Sequence, residues 1–353
     1  MPIVRLSGTV EGEYDANRKS RARMLYTLFA NGWDIYNSNG DQRITLSNIE
    51  RKIQESDAFV FMPGASLEDL FKAVSIFVGY QTLDPHLFGK ATAILGADDT
   101  WDPLLDLLDG LQEVGAIRQN YRQFLMIAHS PDEVLACIDK VRVEGLPDIG
   151  REKLMANQSD SFSNPRPEDY QANVCVFCSA SMEDPSYMIE GYDLGRMLAE
   201  NKLGCVSGAG TTGVMGEVVR GAAEAGGWVA GSNVPHIIEL EGLPDGLSSF
   251  WLTPDIYARM EAMIENSDKF VVFPGGAGTV QEMLALLILK AAENPLMVGK
   301  SIIIYNRPIA GSTLGYWDRL LVLLEPWKDA DLFTVETELV GLIENVKHSN
   351  EQR

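Results

Sequence analysis

The stretch FVVFPGGAGTVQEM, residues 270–283, constrains the fold of this chain more than any other feature of its sequence. An apolar run ends at a proline, three glycines follow, and a helical pattern with a glutamate at position 282 comes next. Glycine permits positive φ and lets backbone N–H groups approach a ligand closely. The stretch therefore predicts a buried strand, a glycine loop and a helix in succession, which is the repeating unit of a parallel α/β fold.

Apolar strands and helical patterns alternate along 171–353. The alternation is clearest in GCVSG followed by GVMGEVVRGAAEAGG, and in SIIIYN after the helix TVQEMLALLILKAAEN. Helices of this length between strands imply crossover connections and parallel pairing. We therefore predict an α/β fold with a Rossmann-like, doubly wound parallel sheet.

The first half of the chain contains a second copy of this pattern. The segment SDAFVFMPGASLEDLFKAV (56–74) resembles SDKFVVFPGGAGTVQEMLAL (267–286), and FGKATAILG and TWDPLLDLL have counterparts downstream in the same order. The alternative is that α/β units resemble one another by composition alone, but ordered blocks favour two tandem related units. PGAS replaces PGGAGT in the first copy. We therefore expect this copy to be degenerate, to bind no nucleotide at 63–66, and to be structural or regulatory.

A polar segment separates the two copies. It is rich in Ser, Asn, Pro and charged residues, which is typical of a linker. The 353-residue chain is therefore predicted to have a degenerate α/β domain at 1–149, a linker at 150–170 and a nucleotide-binding catalytic domain at 171–353. Apolar residues make up 46% of the chain, which is enough for a core in each domain.

The charge balance limits the partners of this chain. It carries 29 Lys and Arg residues against 50 Asp and Glu residues, a net charge of −21. Such a surface repels nucleic acid, so no nucleic acid partner is expected, whereas a small anion can still bind at a helix N-terminus. The first residues lack the features of a signal peptide, and no apolar run is long enough to span a membrane. We therefore expect a cytoplasmic protein without a membrane partner.

Of the four cysteines, Cys175 and Cys178 form a CxxC pattern in NVCVFCSAS. Positions three apart on a strand point to opposite faces of a sheet, and no second pair of Cys or His completes a metal site. We predict that both are core residues, and we expect no metal and no cofactor.

Another glycine loop lies earlier in the chain, in SGAGTTGVMG, where Gly208, Gly210 and Gly213 form a GxGxxG pattern between a strand and a helix. We call this the first glycine loop and PGGAGT the second. In an open parallel sheet, loops at the carboxyl ends of neighbouring strands face the same crevice. We therefore expect the helix N-termini after both glycine loops to converge on one anion. The alternative is that the glycines serve only tight packing.

A dinucleotide fold would also need an acidic residue near the end of the next strand to hold a ribose hydroxyl. That strand ends AGSNVP, which contains no acid, so NAD and FAD are disfavoured. Asn233 in this segment and Ser179 after the strand VCVFC are candidate substrate contacts.

At these motifs the chain resembles a known family. PGGAGTVQE matches the P-G-G-x-G-T-x-x-E motif of the LOG family, the cytokinin riboside 5′-monophosphate phosphoribohydrolases, which were long labelled lysine decarboxylase-like. VCVFCSAS resembles the first strand of that family, GAGTTGVMGEVVRGAAEAGG its first phosphate loop and helix, and YARMEAM its R-K-x-x-M helix. The resemblance covers roughly 172–306, and Met260 stands where the family has lysine.

The resemblance implies hydrolysis of the N-glycosidic bond of a nucleoside 5′-monophosphate to free base and ribose 5-phosphate. Arg259 and Glu282 would be the catalytic pair. The implied substrate- and phosphate-binding residues are Gly208, Gly210, Thr211, Thr212, Gly213, Gly275, Gly276, Gly278 and Thr279. Members of the family form dimers, and longer members accept purine and pyrimidine nucleotides, so a homo-oligomer with a broad range of bases is expected. The helix EMLALLILKAA is more apolar than one buried face needs, which also favours a homo-oligomer.

Other roles stay open at this point. Glu282 could serve only the helix dipole, and Arg259 could be a surface salt-bridge partner. The fold could also be a non-catalytic carrier of a nucleotide or of a phosphorylated cofactor such as a molybdopterin. Lysine decarboxylation has no support, because no lysine stands in a convincing setting for pyridoxal phosphate.

Overall fold

The computed structural model describes residues 1–8, 15–37, 44–96, 99–150, 160–309 and 312–348, without the side chains of 15–17, 37 and 348. The chain forms two compact units. Unit 1 comprises Met1–Gln112 and Ile117–Gly150, and unit 2 comprises Glu113–Ala116 and Arg151–Arg353. Residues 151–159 of the predicted linker lie outside the described residues.

The N-terminal part of the chain forms a five-stranded sheet. Its strands are β1 Ile3–Ser7, β2 Asp34–Asn37, β3 Ala58–Phe61, β4 Ala91–Leu95 and β5 Leu125–Ala128. Its helices are α1 Asp15–Ala30, α2 Leu46–Gln54, α3 Leu67–Gln81, α4 Asp102–Glu113 and α5 Pro131–Glu144. The strand order is β2-β1-β3-β4-β5, and every pairing is parallel.

Unit 2 contains an eight-stranded sheet. Its strands are β6 Phe162–Ser163, β7 Ala172–Phe177, β8 Leu203–Ser207, β9 Val229–Asn233, β10 Ser249–Leu252, β11 Lys269–Val272, β12 Ser301–Tyr305 and β13 Thr334–Glu336. Its helices are α6 Pro185–Glu200, α7 Gly213–Glu224, α8 Pro235–Glu241, α9 Ile256–Glu265, α10 Ala277–Ala291, α11 Asp318–Leu323 and α12 Leu339–His348. The order is β13-β12-β11-β7-β8-β9-β10-β6, and only the pairing of β6 with β10 is antiparallel.

The strand order places a topological switch point inside each sheet. In unit 2 the chain builds outward from β7 through β8, β9 and β10, and then returns to the other side of β7 with β11. Phe177, the last residue of β7, is level with Val272, the last residue of β11. The loops that follow these two strands therefore flank the crevice in which open α/β sheets bind ligands.

The two units share their order over five strands. The order β2-β1-β3-β4-β5 in unit 1 corresponds to β8-β7-β11-β12-β13 in unit 2. Just after α3 and α10, Leu83 and Glu293 both have positive φ, 60° and 51°. Lys90 and Lys300 both donate from Nζ to backbone carbonyls at the end of the helix that precedes β3 or β11. The predicted fold class, two tandem α/β units with Rossmann-like parallel sheets, is confirmed.

Helix α10 is buried on all its faces within the single chain. Every residue from 279 to 289 is buried. Its apolar sequence is therefore accounted for without a subunit partner and does not argue for one. The predicted homo-oligomer then rests on the family resemblance alone.

The segment predicted as a linker runs to residue 170, but its last part already belongs to unit 2. Phe162 and Ser163 form β6 and pair with Phe250 and Ser249 of β10. Ser249 Oγ also donates a hydrogen bond of 2.8 Å to the carbonyl oxygen of Asn164. A strand of two residues is too short to leave a periodic pattern in the sequence.

No helix in the described ranges combines the length and the apolarity needed to cross a membrane. Cys175 and Cys178 are buried, as predicted for core cysteines. Over the same ranges, no group of three His, Cys, Asp or Glu side chains is placed to hold a metal ion.

Helices α6 and α7 approach each other so closely that glycine is required at position 195. A Cβ atom at Gly195 would lie 2.0 Å from the carbonyl oxygen of Val218 and 2.8 Å from the N atom of Ala222. Alanine is the better helix former by about 1 kcal/mol, but overpacking a core costs about 1–3 kcal/mol. We expect Gly195→Ala to lower the melting temperature by several degrees, measured by circular dichroism.

Gly341→Ala in α12 is the matched control. Its Cβ would meet only the carboxylate end of the Glu336 side chain, at 3.0 Å, and this end can move away. We expect a melting temperature equal to or above that of the wild type. Equal melting of Gly195→Ala and Gly341→Ala would contradict the close approach of the two helices.

Candidate active site

Helix α9 begins at a side-chain cap that sets the position of Arg259. Asp255 Oδ1 accepts hydrogen bonds from the backbone N–H groups of Tyr257 at 2.9 Å and Ala258 at 2.8 Å. Such a cap satisfies N–H groups that the first helical turn leaves without acceptors. Arg259 follows within the first turn, and its backbone N–H bonds to the Asp255 carbonyl.

The Arg259 guanidinium holds the ends of two neighbouring strands. Its Nε donates to the carbonyl oxygen of Ser232 in β9 at 3.0 Å, and its Nη2 donates to the carbonyl oxygen of Gly208 after β8 at 3.2 Å. Arg259 is only 8% exposed. The alternative that it is a surface salt-bridge partner is therefore wrong.

Helix α10 places Glu282 opposite this guanidinium. Glu282 is the sixth residue of the helix and is 5% exposed. Its Oε1 lies 3.7 Å from Arg259 Nη1. The structure thus brings together the two residues that the family resemblance implies to be catalytic.

Burial raises the pKa of Glu282 from its ordinary value of 4.5 to about 7. Loss of hydration is the largest cause, the positive charge of Arg259 opposes it, and the negative charge of Glu241 adds to it. At neutral pH this carboxyl group is therefore present in both protonation states. Perturbed carboxyl groups of this kind concentrate at functional sites.

The loop before α10 presents an open helix N-terminus. Its N-cap residue, Gly276, supplies no side-chain hydrogen bond to the helix. Thr279 Oγ1 is buried and has no hydrogen-bond partner within the described residues. A Cβ at Gly275 would lie 2.0 Å from that hydroxyl, whereas a Cβ at Gly278 would meet nothing within 4 Å. Open space beside Gly278, an orphan hydroxyl and a helix N-terminus without a side-chain cap are together suited to an anion.

The loop before α7 is held differently. A Cβ at Gly208 would lie 1.9 Å from Arg259 Nη2, so glycine makes room for the guanidinium. Gly213 has φ +62°, and its Cβ would lie 2.7 Å from the carbonyl carbon of Ala180. Glycine is required at both positions for close contact, one with the Arg259 side chain and one with the neighbouring backbone.

The two threonines of this loop donate to backbone carbonyls. Thr211 Oγ1 donates to the carbonyl oxygen of Glu241, and the Thr211 backbone N–H donates to the same oxygen at 3.2 Å. Thr212 Oγ1 donates to the carbonyl oxygen of Ala180 at 2.6 Å. Both hydroxyls thus hold the loop in this structure, and their predicted contact with phosphate stays a prediction.

Ser179 and Asn233 also lie at the carboxyl edge of the sheet with their side chains bonded to backbone. Ser179 Oγ accepts hydrogen bonds from the N–H groups of Ser181 at 3.1 Å and Met182 at 3.0 Å. Asn233 Oδ1 accepts from the N–H of Val234 at 2.9 Å. These bonds shape the turns after β7 and β9, and direct substrate contact by either residue stays a prediction.

The sequence did not point to Glu241 or Tyr316. Glu241 ends α8, the short helix after β9, and influences Glu282 electrostatically. Tyr316 Oη donates to the carbonyl oxygen of Gly275 at 2.8 Å and so supports the second glycine loop. The sequence did contain a signal for Glu241. Dinucleotide-binding folds have an acid near the end of the corresponding strand, and here an acid ends the short helix that follows that strand.

The position where the family has lysine carries no charge here. Met260 is 1% exposed within α9. Arg259 is therefore the cation that α9 brings to Glu282 in this chain.

The corresponding helix of unit 1 has different chemistry. In α3, Ser66 and Asp69 form a reciprocal capping box, with hydrogen bonds of 3.2 Å from Asp69 N to Ser66 Oγ and 3.1 Å from Ser66 N to Asp69 Oδ2. The sixth helical residue is Lys72, which stands where α10 has Glu282 and pairs with Glu68 at 2.7 Å. A capped N-terminus with its own carboxylate is unfavourable for phosphate. That 63–66 binds no nucleotide stays a prediction.

Comparison with known proteins relates this site to one family. A family model described as possible lysine decarboxylase matches residues 215–352. The chain is 29% identical over 154 residues to a probable cytokinin riboside 5′-monophosphate phosphoribohydrolase of Oryza sativa subsp. japonica, covering 43% of this chain and 58% of that protein. A protein of Arabidopsis thaliana with the same description is 27% identical over 179 residues, covering 50% of this chain and 79% of its own length. The chain thus spans little more than half the length of the rice relative.

A cytokinin riboside 5′-monophosphate phosphoribohydrolase of A. thaliana is 34% identical over 115 residues, which cover 32% of this chain and 50% of that protein. Among solved structures, the Moco carrier protein of Chlamydomonas reinhardtii is similar with a TM-score of 0.39 and 20% identity, over 51% of this chain and 98% of the other. The resemblance of the C-terminal part of this chain to the LOG family, which the PGGAGT motif predicted, is confirmed by the matches in sequence.

Proposed function

We propose that unit 2 hydrolyses the N-glycosidic bond of a nucleoside 5′-monophosphate and releases the free base and ribose 5-phosphate. The observation that carries this proposal is the buried pair of Arg259 and Glu282, 3.7 Å apart, beside two glycine loops at the carboxyl edge of a parallel sheet. The names of the relatives support the same reaction class.

The phosphate binds at the N-terminus of α10. The Thr279 hydroxyl and the backbone N–H groups around Gly278 are its donors, and the partial positive charge of the helix N-terminus favours the anion. Thr279 Oγ1 lacks a partner among the described residues and is buried, so a phosphate oxygen would satisfy it. This arrangement puts the sugar between α10 and the first glycine loop.

Glu282 acts on the ribosyl group. As the bond between C1′ and the base nitrogen breaks, the bonding electrons leave with the base and positive charge develops on the sugar. The Glu282 carboxylate stabilises that charge. Water forms the new C1′–O bond and gives up a proton, and the departing base nitrogen gains one, so the products are neutral base and ribose 5-phosphate.

The positive charge of Arg259 keeps part of Glu282 ionised at neutral pH. Without the nearby positive charge, burial alone would raise the pKa of Glu282 further and leave the carboxylate mostly protonated. The guanidinium stays in place because two backbone carbonyls hold it independently of Glu282. Arg259 is therefore both an electrostatic partner and part of the frame of the site.

We also propose that the protein acts in the cytoplasm as a homo-oligomer and that unit 1 is structural or regulatory. The capping box at Ser66 and the Lys72–Glu68 pair support the last point, because neither leaves an anion site at α3. The range of bases accepted by unit 2 is proposed to include purines and pyrimidines.

The first prediction from this proposed function tests the Glu282 carboxylate. Glu282→Gln keeps the shape of the side chain and removes its charge, so turnover should fall by at least about 100-fold, the usual scale for a positioned acid or base. Affinity for AMP should change little, because the phosphate contacts lie at the N-terminus of α10. The measurements are release of ribose 5-phosphate from AMP, GMP, CMP and UMP, and binding by calorimetry.

Glu265→Gln is the matched control for this variant. Glu265 is the exposed last residue of α9, so the same change there should leave turnover as in the wild type. Equal turnover of Glu282→Gln and the wild type would remove the role of this carboxylate. A wild type that binds a nucleotide tightly and cleaves none of the four would be a carrier instead.

The second prediction concerns the pH dependence of turnover. The ionised form of Glu282 is the active one, and its pKa in the free enzyme is about 7. We therefore expect kcat/KM for AMP to rise with pH up to about 7 and to level off above it. The residual activity of Glu282→Gln should lack this rise with pH. The variant therefore distinguishes ionisation of Glu282 from ionisation of the substrate phosphate, which occurs near pH 6. A fall in kcat/KM as pH rises through 7 would mean that Glu282 acts as an acid.

The third prediction concerns stability. The pKa of Glu282 is higher in the folded state than its ordinary value, so the folded protein binds this proton more tightly than the unfolded chain does. The associated stabilisation is complete below about pH 4.5 and is lost as pH rises through about 7. Glu282→Gln mimics the protonated form, so it should melt at a higher temperature than the wild type at pH 8. The free energy of unfolding should rise by at most about 3 kcal/mol. The difference should shrink at pH 5, and a variant that melts below the wild type at pH 8 would contradict the desolvation of Glu282.

A further inference from the structure

The C-terminus of α8 is attached to the first glycine loop through its backbone. Both the N–H and the hydroxyl of Thr211 donate to the carbonyl oxygen of Glu241. The next residue, Gly242, has φ +74°, and a Cβ there would lie 3.0 Å from Thr211 Oγ1. The position of Glu241 beside the loop is therefore set by main-chain contacts, and its side chain is not needed to hold it there.

The Glu241 carboxylate lies against the backbone of the same loop. A Cβ at Gly210 would come within 3.1 Å of Glu241 Oε2, just as a Cβ at Gly208 would collide with Arg259 Nη2. Two glycines of the GxGxxG pattern thus give room to two charged side chains, an arginine and a glutamate. Glu241 is also close enough to Glu282 to act on it electrostatically.

This carboxylate disfavours a phosphate at the first loop, so the phosphate contact that the family resemblance implies there is less favourable than the one at α10. Several N–H groups of the loop also have acceptors already: Ala209 N–H donates to Ser207 Oγ at 3.2 Å, and Thr211 N–H donates to the Glu241 carbonyl oxygen at 3.2 Å. The loop before α10 has neither a carboxylate cap nor a partner for its buried Thr279 hydroxyl among the described residues. The two ends of the site therefore differ: the end at α10 is suited to phosphate, and the end at the first loop presents hydrogen-bond acceptors.

A carboxylate at the acceptor end is the group that binds sugar hydroxyls. Ionised carboxylates only accept hydrogen bonds, and two vicinal hydroxyls can donate to both oxygens. In dinucleotide-binding folds an acid beyond the second strand holds the ribose in this way. Here that strand ends at Asn233, whose side-chain oxygen bonds to its own backbone turn, and the acid arrives from the end of α8 instead.

We propose that Glu241 is a specificity-determining residue that accepts hydrogen bonds from the ribose hydroxyls of the bound nucleotide and so selects ribonucleotides over 2′-deoxyribonucleotides. The inference rests on the proposed function, because it assigns the substrate class of the same site. Glu241 is half-buried, so a ligand can reach its carboxylate, whereas Glu282 is buried beside Arg259. The two carboxylates then have different roles: Glu282 stabilises the developing positive charge, and Glu241 binds the ribose hydroxyls.

The test compares binding of AMP and of 2′-deoxy-AMP by calorimetry in the wild type, Glu241→Ala and Glu241→Gln. A hydrogen bond to a charged group is strong enough for a discrimination of at least about tenfold. We expect the wild type to bind AMP at least about tenfold more tightly than 2′-deoxy-AMP. In Glu241→Ala we expect this ratio to fall below about threefold, because AMP loses the contacts of both ribose hydroxyls, whereas 2′-deoxy-AMP loses only that of its 3′-hydroxyl. Glu241→Gln, which can still accept from one hydroxyl, should lie between the two.

Glu239→Ala is the matched control, because Glu239 lies two positions earlier on the same helix and thus about 200° around it. It should keep the wild-type ratio. Melting curves of all variants check the fold. We expect Glu241→Ala to fold, because the main-chain contact from Glu241 to Thr211 does not need the Glu241 side chain. If that variant does not fold, the ratio in Glu241→Gln decides, and a value equal to the wild type overturns the proposal.

The outcomes also separate this inference from the proposed reaction. A wild type that discriminates against 2′-deoxy-AMP through Glu241 but releases no ribose 5-phosphate would overturn hydrolysis and leave the role of Glu241 standing. Cleavage with equal binding of AMP and 2′-deoxy-AMP, or a ratio unchanged in Glu241→Ala, would overturn the role of Glu241 alone. Absence of any nucleotide binding would overturn both.

Discussion

A buried guanidinium with three partners determines the geometry of this site. Arg259 donates to the carbonyl oxygens of Gly208 and Ser232 and faces the Glu282 carboxylate. A buried charge is strongly unfavourable unless it is paired and hydrogen-bonded, and these three contacts together supply that compensation. Since the two carbonyls follow β8 and end β9, and the carboxylate belongs to α10, one side chain links the loops on both sides of the crevice. A rearrangement of the glycine loop after β8 would remove the hydrogen bond from Arg259 to the Gly208 carbonyl oxygen.

The burial that makes the Arg259–Glu282 pair costly for folding also shifts the pKa of Glu282. Glu282 loses more by dehydration than it gains from Arg259, and this imbalance raises its pKa into the neutral range. A fully hydrated glutamate would be ionised at neutral pH and weakly interacting, since water screens its charge. A glutamate without Arg259 nearby would be protonated. The site therefore holds a carboxylate whose charge matters because little water competes with it, and this is gained at some expense of folding stability.

The two units show how one strand order can carry different chemistry. Both have a strand, a proline-glycine turn and a fifteen-residue helix at the switch point of the sheet. In unit 1 the helix is capped by Ser66 and Asp69, and its sixth residue is Lys72. In unit 2 the helix has a glycine N-cap and Glu282 as its sixth residue. The backbone topology is thus common to both, whereas the capping and the charge at the start of the helix differ through a few residues. This difference agrees with the proposal that the nucleotide site lies in unit 2.

The sequence by itself determined the fold class, the two tandem units and the family resemblance. Alternating apolar strands and helices leave few ways to bury both faces of a parallel sheet, and the PGGAGT loop marks the strand whose carboxyl end faces the crevice. It also paired Arg259 with Glu282 through the resemblance, although these residues are far apart in the chain. Only the tertiary structure decided their burial, the shifted pKa of Glu282 and the position of Glu241 against Gly210. These depend on which atoms surround each charge, and such surroundings come from α8, α9 and α10 packing on one sheet edge, which no local pattern in the sequence encodes.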